Sequence, residues 1–219
     1  MYKISELLDL SHTIAAPLFE GKDYPWEVLG GIKEFILTLG HALSPEEFDS
    51  PEEGVWIAKD AKVFPSAYIG APCIIDHGAE VRHCAFIRGS AIVGKNCVVG
   101  NSVELKNAVL FDSVQVPHYN YVGDSVLGYK SHMGAGSITS NVKSDKTLVV
   151  VKNGPELLET GLKKFGAILG DHVEVGCNSV LNPGTVLGRE VSVYPTSSVR
   201  GVVPAGCIFK GEGNIVKRS

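Results

Sequence analysis

The chain has 219 residues, 44% of them hydrophobic, with a formal net charge of −4 and a pI near 6.0. Twenty basic residues are scattered among 24 acidic ones, which argues against a nucleic-acid surface, since that needs clustered Lys and Arg to displace counterions. The five cysteines (Cys73, Cys84, Cys97, Cys177 and Cys207) are odd in number and include no CxxC pair, which argues against a disulfide framework or a zinc site. The N-terminus carries acidic residues inside its apolar run, unlike a secretory signal, and no stretch has the roughly 18 uninterrupted apolar residues of a membrane span. The expectation is a soluble cytoplasmic protein with no membrane or nucleic-acid partner.

Residues 1–53 differ in kind from the rest. Short helical patterns run over 4–10 and 26–39, broken by Pro17, Pro25 and Pro45. Val28, Leu29, Ile32, Phe35 and Ile36 form one apolar face. The predicted role is a helical cap on one end of the repetitive remainder of the chain, because a solenoid needs its terminal coil covered.

From residue 54 a six-residue clock begins. Ile57, Val63, Ile69, Ile75, Val81, Ile87, Val93, Val99, Leu105 and Phe111 are all large and apolar, and the column two residues earlier is small or modest in size. A second tract runs Leu169, Val175, Leu181, Leu187, Val193 and Val199. A period of six drifts around a helix of 3.6 residues per turn but suits a triangular coil with one strand per side. Alternation alone would also allow a β-sandwich, but a sandwich does not hold one residue class on a strict clock for ten repeats. The predicted fold is all-β: a left-handed parallel β-helix of hexapeptide repeats over 54–219, preceded by the helical segment. The aliphatic column points inward. Glycines just after it (Gly70, Gly94, Gly100, Gly170, Gly176, Gly188) suit corners with unusual backbone angles. The register is expected to slip near 112–138. An excursion at 142–166, with a helix-like run over 155–164, is the expected place for a binding site or subunit contact.

Residues 100–141 carry a motif outside the repeat: GNSVELK, then HYNYVGD, then GAGSITSN. This segment resembles the acetyltransferase half of the bifunctional N-acetylglucosamine-1-phosphate uridyltransferase/glucosamine-1-phosphate acetyltransferase. The later run ETGLKKFGAILGDHVEVGCNSVLNPGTVLG is similar to archaeal sugar-1-phosphate nucleotidylyltransferases that carry the same β-helix. The resemblance covers about residues 54–210 and implies an acetyl-CoA-dependent N-acetyltransferase of an amino-sugar 1-phosphate. It implies a catalytic role for His118 with Tyr121, and sugar-phosphate binding by Arg88 and Lys106. It puts Asn141 in the amino-sugar site and Ala135 and Cys177 beside the cofactor. Lys146, with Lys143 as an alternative, and Lys210 fall near basic residues of the cofactor site. The chain has His132 where the family has a second asparagine, and Val142 where it has a tyrosine. A homotrimer is implied, with the cofactor cleft between neighbouring prisms and the 142–166 loop reaching a neighbour. The glycine-rich nucleotide loop and magnesium carboxylates of uridylyl transfer are missing, so a separately encoded nucleotidyltransferase partner is one expectation.

The chemistry of the residue types agrees with those roles. An amino sugar is mostly protonated near neutral pH, and a histidine can take a proton from its nitrogen as that nitrogen attacks a thioester. Fixed cations suit a phosphate, the guanidinium as a fork and the ammonium as a point charge. Arg88 and Lys106 lie 18 residues apart, one full coil. Each also has a plainer reading: His118 as a turn histidine, Arg88 and Lys106 as exposed corner charges, Tyr121 as a packing aromatic. Two other readings remain open: an acyltransferase with another acceptor, and a non-catalytic sugar-nucleotide binding or regulatory subunit. His77, His83 and His118 do not have the spacing of a metal-dependent hydratase on this fold.

Overall fold

In the computed structural model, which describes residues 1–218, strands stack every 16 to 18 residues, except across the excursion, into three parallel faces. Face one holds Val55–Ala58, Cys73–Ile75, Ala91–Val93, residues 108–110 and 126–127, Ala167–Leu169, Thr185–Leu187 and Val202–Val203. Face three runs from Lys62–Val63 through Val98–Asn101, Gln115–His118 and His132–Met133 to Cys207–Phe209. Face two runs from Tyr68–Ile69 through residues 104–105 and 121–122 to Ser198–Val199. This is the left-handed β-helix that the hexapeptide clock predicts.

The aliphatic column forms its core. Ile75, Val93, Leu110, Leu127, Leu169, Leu187 and Val203 stand in register on successive coils, all buried. Each pair of coils lies ~4.8 Å apart, so the stack is continuous apolar contact along the prism axis. In the first coil Val63 is still exposed, because nothing lies on its outer side along the axis.

The register slips earlier than the sequence pattern implies. Each corner places one residue at positive φ, at 90, 96 and 102, then at 107, 113 and 119, then at 124 and 130. The five-residue steps at 102–107 and 119–124 are the slips. The first puts Leu110, not Phe111, above Val93. Phe111 is buried outside that column, edge-on to Phe19 of the N-terminal segment at 5.7 Å.

The post-aliphatic glycines have a different cause from the one expected. Asn96, Ser102, Ser113 and other polar residues take the left-handed corner conformation, which Asn and Ser tolerate. A Cβ on Gly100 would fall 1.6 Å from the Pro117 carbonyl oxygen of the next coil. Glycine is needed there for close stacking, not for φ.

The N-terminal segment lies along face one instead of over an end. The outward residues of that face, Ile74, Ile92, Val109, Val126, Ile168 and Val186, are all apolar and all fully buried. The helix Ile32–Ala42 covers the first coils, with Gly40 so close to the Trp56 ring that a Cβ would reach within 2.3 Å. Trp26 stacks on Tyr24 at 4.8 Å and meets Phe165 at 5.7 Å. Strands close the ends: Phe48–Glu52 pairs antiparallel with Val55–Ala58, and Ile215–Lys217 with Cys207–Phe209. No helix among the described residues is long and apolar enough to cross a membrane.

The excursion is a hairpin, not a helix. Val150–Asn153 pairs antiparallel with Glu156–Glu159 around Gly154, whose φ is +57°. Glu156–Glu159 reads as helical by composition, but the β-branched run before it supplies a partner strand. The chain returns where it left, with the Phe165 N–H donating to the Asn141 carbonyl at 3.0 Å.

Candidate active site

The sequence-predicted residues fall mainly into two corner columns on either side of face two. At the corner between faces three and two, successive coils place His83, Asn101, His118, Ala135 and Cys177 one above another. Backbone hydrogen bonds mark the column: Tyr119 N–H to Asn101 O at 2.9 Å, Gly136 N–H to His118 O at 3.0 Å, and Asn178 N–H to Ala135 O at 2.8 Å. His118 is exposed, and its ring has no hydrogen-bond partner among the described residues. Its corner is nonetheless held firmly. The buried Asn120 accepts the His118 N–H at 3.1 Å and donates to the carbonyls of Gly134 at 2.8 Å and Ser137 at 3.0 Å. Sequence reasoning passed over Asn120; the only signal for it was its place inside the HYNYVGD motif.

At the corner between faces two and one, Arg88 and Lys106 stack as their spacing predicts, followed by Gly123. Neither cation stands alone. Arg88 Nη1 donates to Glu104 Oε1 at 2.8 Å, and this carboxylate raises the guanidinium's pKa. Lys106 Nζ lies 3.0 and 3.3 Å from the two carboxylate oxygens of Asp124. Asp124, with its side chain 5% exposed, also accepts from Asn107 Nδ2 at 2.9 Å and from Asn141 Nδ2. Side chains from the coils on either side thus converge on one buried carboxylate, a centre that sequence reasoning did not single out although its GD dipeptide was in the motif.

Tyr121 joins this cluster from face two. Its hydroxyl accepts from Asn141 Nδ2 at 3.1 Å. Gly123 makes room for it, since a Cβ there would approach the hydroxyl to 2.4 Å. Burial raises the phenol's pKa, and the Asp124 and Glu104 charges raise it further. Both effects favour the neutral phenol, which can donate or accept a hydrogen bond.

Three predicted residues lie elsewhere. His132 is on face three, its Nδ1 2.8 Å from Glu174 Oε2. Lys146 sits in a left-handed turn of the excursion, its N–H on Lys143 O at 3.0 Å. Lys210 lies near the C-terminal end, its ammonium 5.5 Å from the Tyr194 ring centre. A lysine the sequence reading did not name, Lys164, precedes Phe165 and so returns beside Asn141. The inserted hairpin hid that adjacency. No cluster of three or more His, Cys, Asp or Glu suited to a metal occurs among the described residues.

Two curated relatives are similar over most of the chain. The bifunctional sugar-1-phosphate nucleotidylyltransferase/acetyltransferase of Sulfurisphaera tokodaii is 33% identical over 189 residues, 85% of this chain and 47% of that protein. The bifunctional protein GlmU of Methanococcus maripaludis is 33% identical over 167 residues, 75% of this chain and 40% of that protein. The chain thus spans about half the length, or less, of these relatives. Among solved structures, the acetyltransferase domain of PglB from Neisseria gonorrhoeae in complex with acetyl coenzyme A aligns at 18% identity with a TM-score of 0.33, covering 78% of this chain and 72% of that one. The family described as the GMPPB C-terminal domain matches residues 69–205, which is more than half of the chain. By that match, the chain belongs to the GMPPB C-terminal domain family.

Proposed function

We propose that the chain is an N-acetyltransferase that moves the acetyl group of acetyl-CoA to the nitrogen of an amino-sugar 1-phosphate. The observation that carries this reading is the juxtaposition of the two corner columns across one short strand, with Tyr121 between them. On one side stands an exposed histidine with an unpartnered ring; on the other, two stacked cations and an amide. The names of the two curated relatives, each bifunctional and one an acetyltransferase by name, point the same way.

In this mechanism Asn141 and Tyr121 orient the sugar and Arg88 holds its phosphate, exchanging Glu104 for it. Lys106 adds a fixed charge while keeping Asp124 and Asn141 in place. The acceptor nitrogen attacks the thioester carbonyl as His118 takes its proton. A C–N bond forms, the C–S bond breaks, and the proton passes on to the leaving thiolate. The small side chains of Ala135 and Cys177 beside His118 leave the corner open to a thin pantetheine arm, so the residues present fit the co-substrate. The chain acts as a homotrimer in this reading, with the cleft completed by a neighbouring prism.

One observation favours a second reading, an acyltransferase with a different acceptor. Both cations already face carboxylates, Glu104 and Asp124, so an acceptor without a phosphate would meet a charge-balanced wall. Thiol release from acetyl-CoA, measured over a panel of amino-sugar 1-phosphates and their unphosphorylated counterparts, separates the two. Turnover confined to a phosphorylated amino sugar is the expected result. Turnover only with unphosphorylated sugars would favour the second reading, and none with any sugar would count against both.

A further inference from the structure

A second polar cleft, of about 370 Å³, opens between the excursion and the far coils. Its floor is the continuation of the corner that carries Arg88 and Lys106: Ser140, Asn182 and Arg200 stand on successive coils. Its other wall is the excursion, with Lys143, Asp145 and Lys152. Lys106 and Arg200 are four coils apart, about 19 Å at ~4.8 Å per coil, so Arg200 stands apart from the Arg88–Lys106 corner, while Ser140 and Val142 at the near end of the cleft flank Asn141.

The charge here runs against the molecule. The chain carries −4 overall, yet this cleft is lined by three cations and one carboxylate. Asp145 is spent on Lys143, at 3.3 Å. Lys152 and Arg200 have no carboxylate within ion-pair distance among the described residues, and both are exposed. They stand on opposite walls, one on the hairpin and one on a coil corner. The walls are fixed against each other: a Cβ on Gly201 would fall 2.5 Å from the Lys152 carbonyl oxygen, and one on Gly184 2.8 Å from Val149 Cγ1. The cleft is therefore pre-formed, and binding costs little ordering of the backbone. Ser140 adds a hydroxyl on its floor.

We propose that this cleft binds the diphosphate group of a small molecule, at a site distinct from the Arg88–Lys106 corner. Lys152 and Arg200, one from each wall and neither with an ion-pair partner among the described residues, supply two cations for the two linked phosphates of a diphosphate. The volume lies at the lower end of the range for small-molecule pockets and exceeds what a single phosphate fills. Inorganic pyrophosphate, a nucleoside diphosphate and coenzyme A all present this group.

Calorimetric titration of the full chain with each of these three probes, at low and at moderate salt, tests the proposal. At least one binds, with affinity falling as salt rises. Arg200→Gln and Lys152→Gln each weaken that binding about tenfold, while Lys33→Gln, on the exposed side of the helix Ile32–Ala42, leaves it unchanged. The strongest of the three probes identifies what the diphosphate is attached to. Both variants alter exposed side chains, and their melting temperatures verify that the fold is intact. Absence of binding by all three probes, or binding that neither variant weakens, overturns the proposal. Acetyl transfer does not enter the readout, and coenzyme A held only at the His118 corner would be weakened by neither variant, so that outcome counts against this proposal while leaving the acetyltransferase reading intact.

Discussion

The Lys106 ammonium lies 3.0 Å from Asp124 Oδ1, on successive coils of the same corner, and the two ends of the pair are unequally buried: 27% of the lysine side chain is exposed against 5% of the aspartate. Asp124 is the shared acceptor of Lys106, Asn107 and Asn141, whereas Lys106 has one partner. Removing the acceptor leaves the Lys106 ammonium alone and takes one acceptor each from Asn107, which keeps the Leu29 carbonyl, and Asn141, which keeps the Tyr121 hydroxyl; removing the lysine leaves a carboxylate that keeps two amides.

Asp124→Ala is therefore expected to cost about 3 kcal/mol of stability and Lys106→Ala about 1 kcal/mol, the latter discounted for the lysine's contact with solvent. Urea unfolding of the two variants checks the order. Equal losses would mean that the carboxylate is not the hub of this corner.

Gly100 tests the reason given for the glycines. Gly100→Ala places a methyl on the Pro117 carbonyl and forces two coils apart, costing about 3 kcal/mol or more. Gly30→Ala, where a Cβ meets nothing within 4 Å and φ is not in the left-handed region, is expected to be neutral within about 0.5 kcal/mol. Thermal melts of the pair discriminate between close stacking and backbone freedom as the cause.

Much of the fold was legible because the core is periodic: an inward column of one size repeats wherever a coil repeats. Phe111 shows the limit. Its place on the clock was right by spacing and wrong in space, because a corner lost one residue at Asn107 and nothing in the composition of 102–107 signals it. The covering of face one was also hidden. Ile74, Ile92 and Val109 looked like ordinary strand residues, whereas three consecutive apolar residues at Cys73–Ile75 and Ala91–Val93 were the sign of a strand buried on both sides. At the site, spacing alone gave the Arg88–Lys106 stack. The hub at Asp124 and the clamp at Asn120 were invisible, since a hydrogen-bond centre depends on which corners meet, not on which residues are neighbours in sequence. The hairpin misread as a helix is a local conflict settled by its partner strand.

Asp76 links burial to pH. It is fully buried; Oδ1 accepts the His77 N–H at 2.7 Å, while Oδ2 has no partner among the described residues. Burial raises its pKa, and the nearby Asp112 adds to this, against the lowering by the His77 N–H and by Lys95. A carboxyl whose folded pKa lies above its unfolded value contributes stability at low pH and loses it as pH rises through the folded value. At neutral pH the wild type carries the destabilisation that goes with this raised pKa, and Asp76→Asn removes it. The variant is expected to be more stable by about 1 kcal/mol at neutral pH, with the gain shrinking as pH falls into the ordinary carboxylate range. Melting curves at the two pH values check both the sign and the trend. A gain that grows on acidification would contradict the assignment.

Removal of the proton from the acceptor nitrogen by His118 is measured most directly as the rate of thiol release from acetyl-CoA by His118→Ala beside wild type, at saturating acceptor. His118 is exposed and its ring bonds nothing among the described residues, so the variant keeps its fold and its melting temperature. The expected result is a fall of about 10²-fold or more in kcat with little change in KM for either substrate. A variant that turns over at the wild-type rate would contradict it, and would leave the column of His118, Ala135 and Cys177 as a corner of the scaffold and no more.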